Sequence, residues 1–183
     1  MSLLPEWYST AFGLLVGVAQ MLSAMALGVL ACAFMQDRAA RETTPFIDLG
    51  NLLLMYVMSW AYVAFTQFLI IWAEELPHEI AWYVPRMQTS WRWLSILLIL
   101  LQFAIPFAFL LSRSAKRRPR YIGQLAGLVV VGQLLFAFYL VAPTLRPDGF
   151  YLSWSDPIAI VAAVGLWCAA WLSRLPRARN QLA

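Results

Sequence analysis

Residues 48–86 read DLGNLLLMYVMSWAYVAFTQFLIIWAEELPHEIAWYVPR. The part over 49–73 holds twenty-five residues without a formal charge, and a helix of that length extends about 37 Å at 1.5 Å per residue. The apolar core of a bilayer is about 30 Å thick, so this helix is long enough to cross it with some tilt. The stretch therefore predicts a membrane-spanning helix that delivers a polar and aromatic segment, 74–86, to one membrane surface.

Composition extends this prediction to the whole chain. Of the 183 residues, 62% are hydrophobic and only 12% are charged, which is typical of an integral membrane protein and not of a soluble domain. Apolar runs that are long enough, or nearly long enough, to span a bilayer recur along the sequence. We expect an all-α, single transmembrane domain over residues 1–183 with five helices, at roughly 9–35, 49–73, 93–111, 122–143 and 157–172.

The basic residues predict how these helices are oriented. Cytoplasmic loops of membrane proteins carry an excess of Lys and Arg. With five spans, ten of the thirteen Lys and Arg residues fall on one side, in the loops after the first and third helices and in the carboxyl-terminal tail. We therefore expect the amino terminus outside and the carboxyl terminus inside. A nucleic-acid partner is not expected, because the basic residues lie at helix ends.

Two helices carry faces of small residues. On the first helix the face combines glycines, an alanine and one amide at spacings of three and four, which is typical of close contact with another helix. Gly123 and Gly127 form a similar pattern on the fourth helix. The face on the first helix consists of Gly13, Gly17, Gln20, Ala24 and Gly28.

One face of the second helix carries its polar side chains. At about 100° per residue these side chains fall within a sector of about 80°. Four of them, Asp48, Asn51, Ser59 and Thr66, are candidates for a proton path. For Asp48 two functions stay open, capping of the helix and proton entry. The polar face consists of Asp48, Asn51, Ser59, Tyr62 and Thr66.

The segment after this helix is the candidate reaction site. It holds the only histidine of the chain, together with aromatic side chains that can wall a flat apolar ligand. Carboxylates beside apolar walls have raised pKa values and accept protons, as quinol oxidation requires. We expect His78 and Glu79 to be the catalytic proton acceptors, and a solvated helix end without a ligand is the alternative. The residues expected to bind a quinone are Tyr62, Gln67, Trp72, Glu74, Glu75, Trp82, Tyr83 and Arg86.

The sequence offers no pattern for a bound metal. Cys32 and Cys168 lie in separate apolar segments without a CxxC motif, and a bis-histidine haem needs two histidines where the sequence has one. We therefore expect no metal and no cofactor bound by this chain alone, apart from a quinone or quinol.

A series of motifs runs in order along residues 5–143: WYST at 7–10, DLG at 48–50, WAY at 60–62, FTQ at 65–67, IW at 71–72, LP at 76–77 followed by Glu79, Phe103, PF at 106–107, LSR at 111–113 and KR at 116–117. In order and spacing this series resembles the carboxyl-terminal half of a quinone-binding membrane subunit of bacterial alternative complex III. That subunit belongs to the NrfD-like, polysulfide-reductase-like group. The fifth helix resembles that subunit only in being a helix of the same general kind, because none of these motifs lies in it.

The resemblance implies a four-helix bundle plus one peripheral helix in the bacterial inner, or cytoplasmic, membrane. It implies a membrane subunit of a respiratory quinol-oxidising electron-transfer complex, whose iron–sulfur and c-type cytochrome partners hold the iron–sulfur clusters and haem. Five positions depart from the group, which has histidines where this chain has Pro45, Ile47, Gln102 and Gln133, and an aspartate where it has Phe136. Glutamine does not exchange protons near neutral pH.

Two other functions have to be weighed. One is a cofactor-free accessory subunit that bridges a respiratory complex or a terminal oxidase. The other is a transporter, which would place ionisable residues near the middle of the membrane and use broken helices. Neither of these transporter features is evident in the sequence. The accessory subunit is therefore the main alternative to a quinone-binding subunit.

Overall fold

The computed structural model of the chain describes residues 10–35, 44–74, 80, 82–146, 149–151 and 153–172. Contacts divide the chain into two compact units, Met1–Gly149 and Phe150–Ala183. Every regular element in the described residues is helical, which confirms the all-α prediction. The elements are Thr10–Met35 (α1), Thr44–Glu74 (α2), Val84–Gln88 (α3), Trp91–Ile99 (α4), a π-helical turn at Leu100–Ala104, Ile105–Leu111 (α5), Arg113–Lys116 (α6), Pro119–Leu145 (α7) and Ser155–Leu172 (α8).

Four of these helical stretches are long and apolar enough to cross a membrane. The third consists of α4, the π-helical turn and α5 in direct succession. In α8, the described apolar part is Asp156–Leu166, which is shorter than the roughly 20 residues that a spanning helix needs. The chain thus has the length pattern of a multi-pass membrane protein. The four spans are Ala11–Met35, Phe46–Ala73, Trp91–Leu111 and Pro119–Leu145.

The four spans pack side by side within the first unit. α1 contacts α2 and α7, and the third span contacts the same two helices from the other side. The side chains that face inward on α2 recur at helical spacing, as at Leu53, Val57 and Trp60. Large apolar side chains also face outward, including Met55 and Phe65. An outward surface rich in large apolar side chains suits a protein whose solvent is lipid.

Contacts between the spans define two ends of this bundle. At one end the Phe12 ring lies 6.3 Å from the Trp82 ring, and this end also holds Arg86. At the other end the Lys116 ammonium donates a hydrogen bond to Asn51 at 2.6 Å. We call these the Arg86 end and the Lys116 end.

α1 packs tightly against α7 near the Lys116 end. A Cβ added at Gly123 would lie only 2.9 Å from the Cβ of Ala33, so glycine is what allows the two backbones to approach. The predicted small-residue face of α1 behaves differently. At Gly13, Gly17 and Gly28 an added Cβ would meet no atom within 4 Å beyond the adjoining residues and backbone of α1 itself, so within the described residues no other helix covers these positions.

Pro106 shapes the third span. A proline lacks a backbone N–H, and its ring collides with the carbonyl four residues earlier, here that of Gln102. The helix widens into the π-helical turn at Leu100–Ala104, which relieves the collision. Gln102 is fully buried there. Its Oε1 accepts a hydrogen bond from Nε2 of Gln133, and its Nε2 donates to the Gly132 carbonyl at 3.2 Å. Neutral amides therefore join the third span to α7 in the middle of the bundle.

Candidate functional site

A short helix places the central side chain of the candidate site. The Tyr83 amide donates to the Ile80 carbonyl at 2.8 Å, and the turn leads into α3, whose first turn contains Pro85. Proline suits this position, because its fixed φ is helical and its missing N–H would have no partner there. Arg86 then lies one helical turn after Trp82, so its side chain reaches back over the turn into the bundle.

Arg86 is only 2% exposed and is bound to two backbone carbonyls. Its Nη1 donates to the Trp82 carbonyl at 2.6 Å, and its Nη2 donates to the Leu140 carbonyl of α7 at 3.2 Å. Nε is also buried, and among the described residues it has no hydrogen-bond partner. The side chain therefore joins α3 to α7 and leaves its Nε–H without a partner in the described part of the chain.

Aromatic rings surround this guanidinium. The Arg86 Cζ lies 3.7 Å from the centre of the Trp82 ring and 5.4 Å from the centre of the Tyr139 ring. The Trp82 ring meets the rings of Tyr83 and Tyr139 edge to face, at 4.7 and 6.1 Å. The negative faces of aromatic rings attract a cation and partly replace the water that burial removes.

Burial sets the protonation of the charged and phenolic groups outside the spans. It lowers the pKa of Arg86 to about 10, although the nearby Tyr139 and Tyr83 oppose the change. Burial also raises the pKa of Tyr83, with a further increase from Tyr139 and a smaller opposing effect of Arg86. At neutral pH the guanidinium is charged and the phenol is protonated, so both act as hydrogen-bond donors.

The surrounding contacts hold α4 and α7 in register. Ser95 on α4 donates from its Oγ to the Tyr139 hydroxyl at 2.8 Å. Trp91, which is completely buried, donates from its Nε1 to the Arg146 carbonyl at 3.1 Å. The Tyr139 ring beside Arg86 is thereby held in place before any ligand binds.

Neither a protein-family model nor a curated protein matches this chain. Within the described residues, no group of three or more His, Cys, Asp and Glu side chains could hold a metal ion. The donors and acceptors of the candidate site are therefore a guanidinium, phenols, amides and backbone carbonyls.

The structure brings together three of the residues expected to bind a quinone, Trp82, Tyr83 and Arg86. Tyr62 and Trp72 lie apart from them, on the outward surface of α2, where they are 71% and 69% exposed. His78, Glu79 and Glu75 lie outside the described residues. Glu74 ends α2, and its side chain is also outside the described part.

Among the residues expected to bind a quinone, Gln67 has the most unusual surroundings. It is 1% exposed, and neither its Nε2 nor its Oε1 has a hydrogen-bond partner in the part of the chain that the structure describes. It neighbours Phe68, whose ring lies 6.0 Å from the Tyr83 ring, so it belongs to the Arg86 end. A buried amide without partners costs about 1–3 kcal/mol, and a polar ligand atom or a water would recover part of this cost.

The predicted proton-path residues form no hydrogen bonds with one another in the described part of the chain, and Asn51 and Ser59 bond to other groups instead. α2 begins at Thr44, so Asp48 lies in its second turn, is exposed and does not cap the helix. Asn51 accepts a hydrogen bond from Lys116, and Ser59 donates to the Met55 carbonyl of its own helix at 2.8 Å. In the described part of the chain no hydrogen bond joins any two of the four candidates, Asp48, Asn51, Ser59 and Thr66.

Sequence reasoning missed the contributions of α7 to the site. The Tyr139 ring and the Leu140 carbonyl both contact Arg86 across more than fifty residues of sequence. A tyrosine one turn after Phe136 on the same buried face of α7 was the available signal for Tyr139. No sequence pattern identifies a backbone carbonyl as the acceptor.

Proposed function

We propose that this chain is a membrane subunit of a respiratory quinol-oxidising electron-transfer complex, similar to alternative complex III, and that the Arg86 end forms one wall of its quinone site. The observation that carries the proposal is the buried Arg86 guanidinium, which is held against the ring faces of Trp82 and Tyr139 and whose Nε has no partner among the described residues. Flat rings suit a quinone ring, and fixed donors suit its oxygens.

The chemistry of quinol oxidation assigns a function to each group. Quinol releases two protons and two electrons, and negative charge develops on its oxygens as the protons leave. A fixed cation at this position stabilises that charge without reorganisation. Arg86 supplies the positive charge, and Tyr83 and Gln67 offer further hydrogen bonds. His78 and Glu79, which follow α2 in sequence, accept the protons, while the electrons pass to iron–sulfur clusters and haem of partner subunits.

The proposed topology follows from the distribution of basic residues. α8 is the fifth span in this topology, as the resemblance to the alternative complex III subunit implies, with the amino terminus outside and the carboxyl terminus inside the bacterial inner membrane. This arrangement puts the Arg86 end at the outer surface and the basic Lys116 end at the cytoplasm. Reporter fusions at residues 78 and 117 test the orientation. An outer signal at 78 and a cytoplasmic signal at 117 are expected, and the reverse pattern overturns it.

An accessory subunit without a substrate is the second candidate, and the open face of α1 favours it. Gly13, Gly17 and Gly28 have open space where a Cβ would extend, and a helix of another subunit can approach closely there. In this case the chain contributes to assembly and not to turnover.

Gentle purification of the tagged chain, followed by identification of its companions and a quinol-oxidation assay, tests the proposal. Multihaem cytochrome and iron–sulfur companions with quinol oxidation are expected, whereas a haem–copper oxidase as the sole companion contradicts it. His78→Ala and Glu79→Gln separate the two candidates. Turnover falls in these variants if the chain binds quinol, and it stays unchanged if the chain only supports assembly.

A further inference from the structure

A cleft of about 300 Å³ opens at the Lys116 end of the bundle, between α2 and the segment formed by α5 and α6. It lies within one or two turns of the ends of three spans, at the depth where lipid headgroups meet a membrane protein. Its lining combines two apolar side chains, one amide and three cations: Ile47, Leu111, Asn51, Arg113, Lys116 and Arg117.

Lys116 is the buried cation of this lining, whereas Arg113 and Arg117 are exposed. It is the only lysine of the chain, and it is 5% exposed. Its aliphatic stem lies against Gly50, where an added Cβ would be 3.1 Å from Cγ and 3.3 Å from Cδ. Its Nζ donates to Oδ1 of Asn51 at 2.6 Å, which leaves two of the three ammonium donors for another partner.

The charge of the cleft is not balanced by its lining. Asn51 is neutral, and no lining side chain among the described residues is acidic. Asp48 on the same helix is exposed and is not part of the lining. Burial, and then the proximity of Arg113, lower the pKa of Lys116, as expected where like charges meet without an anion between them.

We infer that this cleft binds the phosphate group of an anionic membrane lipid. Two guanidinium groups and an ammonium offer the donors that a phosphate accepts, and arginine matches phosphate oxygens in pairs. Ile47 and Leu111 provide apolar contact for the glycerol and acyl part of the molecule. Basic pockets between membrane helices bind acidic headgroups in this way. The inference goes beyond quinone binding and does not depend on it.

Protection of Lys116 from an amine-reactive reagent tests the site in the purified assembly. The assembly is placed in nanodiscs of phosphatidylcholine alone or with phosphatidylglycerol, and acylation of Lys116 is followed by peptide mass spectrometry. We expect phosphatidylglycerol to slow the acylation at least fivefold. Equal rates in the two membranes overturn the inference.

Two controls make this result specific. An anionic surface slows acylation of any nearby amine, so the lysine of an Arg120→Lys variant, exposed at the same membrane edge and outside the cleft, reports the general effect. Protection of Lys116 must exceed protection at 120, and equal protection overturns the site. Inorganic phosphate added to phosphatidylcholine nanodiscs is the second arm. Protection by phosphate with no further gain from phosphatidylglycerol assigns a soluble anion and overturns the lipid.

Three substitutions identify the groups that bind. Arg117→Gln is expected to reduce the protection of Lys116 about fivefold, while Arg120→Gln leaves it unchanged. Both arginines are exposed, so the fold tolerates either change. Asn51→Asp keeps the acceptor for Lys116 but adds a negative charge to the cleft, and it should abolish the difference between the two membranes. Full protection in Asn51→Asp contradicts phosphate binding.

Discussion

The Arg86 end and the Lys116 end each contain a buried cation that is hydrogen-bonded to neutral groups. Arg86 is bound to two backbone carbonyls and lies against the faces of aromatic rings. Lys116 is bound to one amide and shares an open cleft with two arginines. Burial lowers the pKa of both groups. Each end therefore contains one buried positive charge, but the two charges have different surroundings.

The environment, and not the charge itself, decides what each end can bind. Ring faces compensate the Arg86 charge in part, so this end suits a flat ligand on which charge develops only during a reaction. The cations at the Lys116 end repel one another, so that end suits an anion that is charged from the start. The variants below test this contrast, beginning with the largest expected effect.

Loss of the Arg86 charge should have the largest effect. Arg86→Met keeps an apolar side chain over Trp82 but removes the donors, and charge-assisted hydrogen bonds are worth about 1.5–3 kcal/mol. We expect kcat/KM for quinol oxidation by the assembly to fall about 10- to 100-fold. Arg92→Met is the matched control, because Arg92 lies 5.2 Å from the Trp93 ring on the exposed surface. Equal losses in the two variants, or a loss explained by denaturation at the assay temperature, would contradict a function in binding.

The next-largest effect is expected on thermal stability, from substitutions in the faces of α1 and α7. At the Lys116 end Gly123→Ala brings a Cβ to 2.9 Å from Ala33, and overpacking of this kind costs about 1–3 kcal/mol. Gly17→Ala, towards the Arg86 end, meets open space, and alanine in a helix is up to about 1 kcal/mol more favourable than glycine. Thermal denaturation in detergent should show a lower midpoint for Gly123→Ala only. A loss with Gly17→Ala in the isolated chain would mean that this face is already covered.

The Gln102 and Gln133 amides lie between the two ends. Their substitution should have a smaller and coupled effect on the free energy of unfolding. Gln102→Leu or Gln133→Leu alone leaves the other amide without one partner, whereas the double variant removes both amides. Hydrogen bonds between membrane helices couple by about 0.6 kcal/mol on average and by up to about 1.7. A double-mutant cycle on unfolding free energies should give a coupling in this range. Strict additivity would mean that the two amides do not interact.

The smallest expected effect is the one that the lowered pKa of Lys116 has on the stability of the fold. The folded-state pKa is lowered by burial, so the folded chain binds this proton less tightly than the unfolded chain does. The charge therefore opposes folding below the folded pKa, and stability rises with pH from that pKa towards the ordinary lysine value. Reductive methylation with ¹³C and NMR titration should show a pKa that rises when phosphatidylglycerol replaces phosphatidylcholine. A pKa that stays the same in both membranes contradicts an anion at this lysine.

Much of the fold could be predicted from the sequence, because lipid-facing helices need long apolar runs and these are local. The predicted segments 122–143 and 9–35 differ from α7 and α1 by at most three residues at either end. α2 begins five residues before the predicted 49, since Asp48 does not interrupt it and Pro45 is compatible with its first turn. Charge at a helix edge was therefore a poor guide to where that helix begins.

The candidate site was less predictable, because its contacts join distant parts of the chain. The sequence drew attention to Trp82, Tyr83 and Arg86 as neighbours on one segment. It could not supply the register that sets Arg86 against Tyr139 and the Leu140 carbonyl, which depends on how α3 and α7 pack. The small-residue face of α1 shows the same limit. Its pattern predicted a contact, but not that the described helices leave Gly13, Gly17 and Gly28 open.

Photoaffinity labelling of the purified assembly with an azidoquinone, followed by peptide mapping, tests the proposed quinone site most directly. We predict labels on the peptides that contain Trp82 and Tyr83 and on the α7 peptide that contains Tyr139, with both lost when excess quinone competes. Labels confined to other subunits, or labels on this chain that persist unchanged under competition, would contradict quinone binding at the Arg86 end.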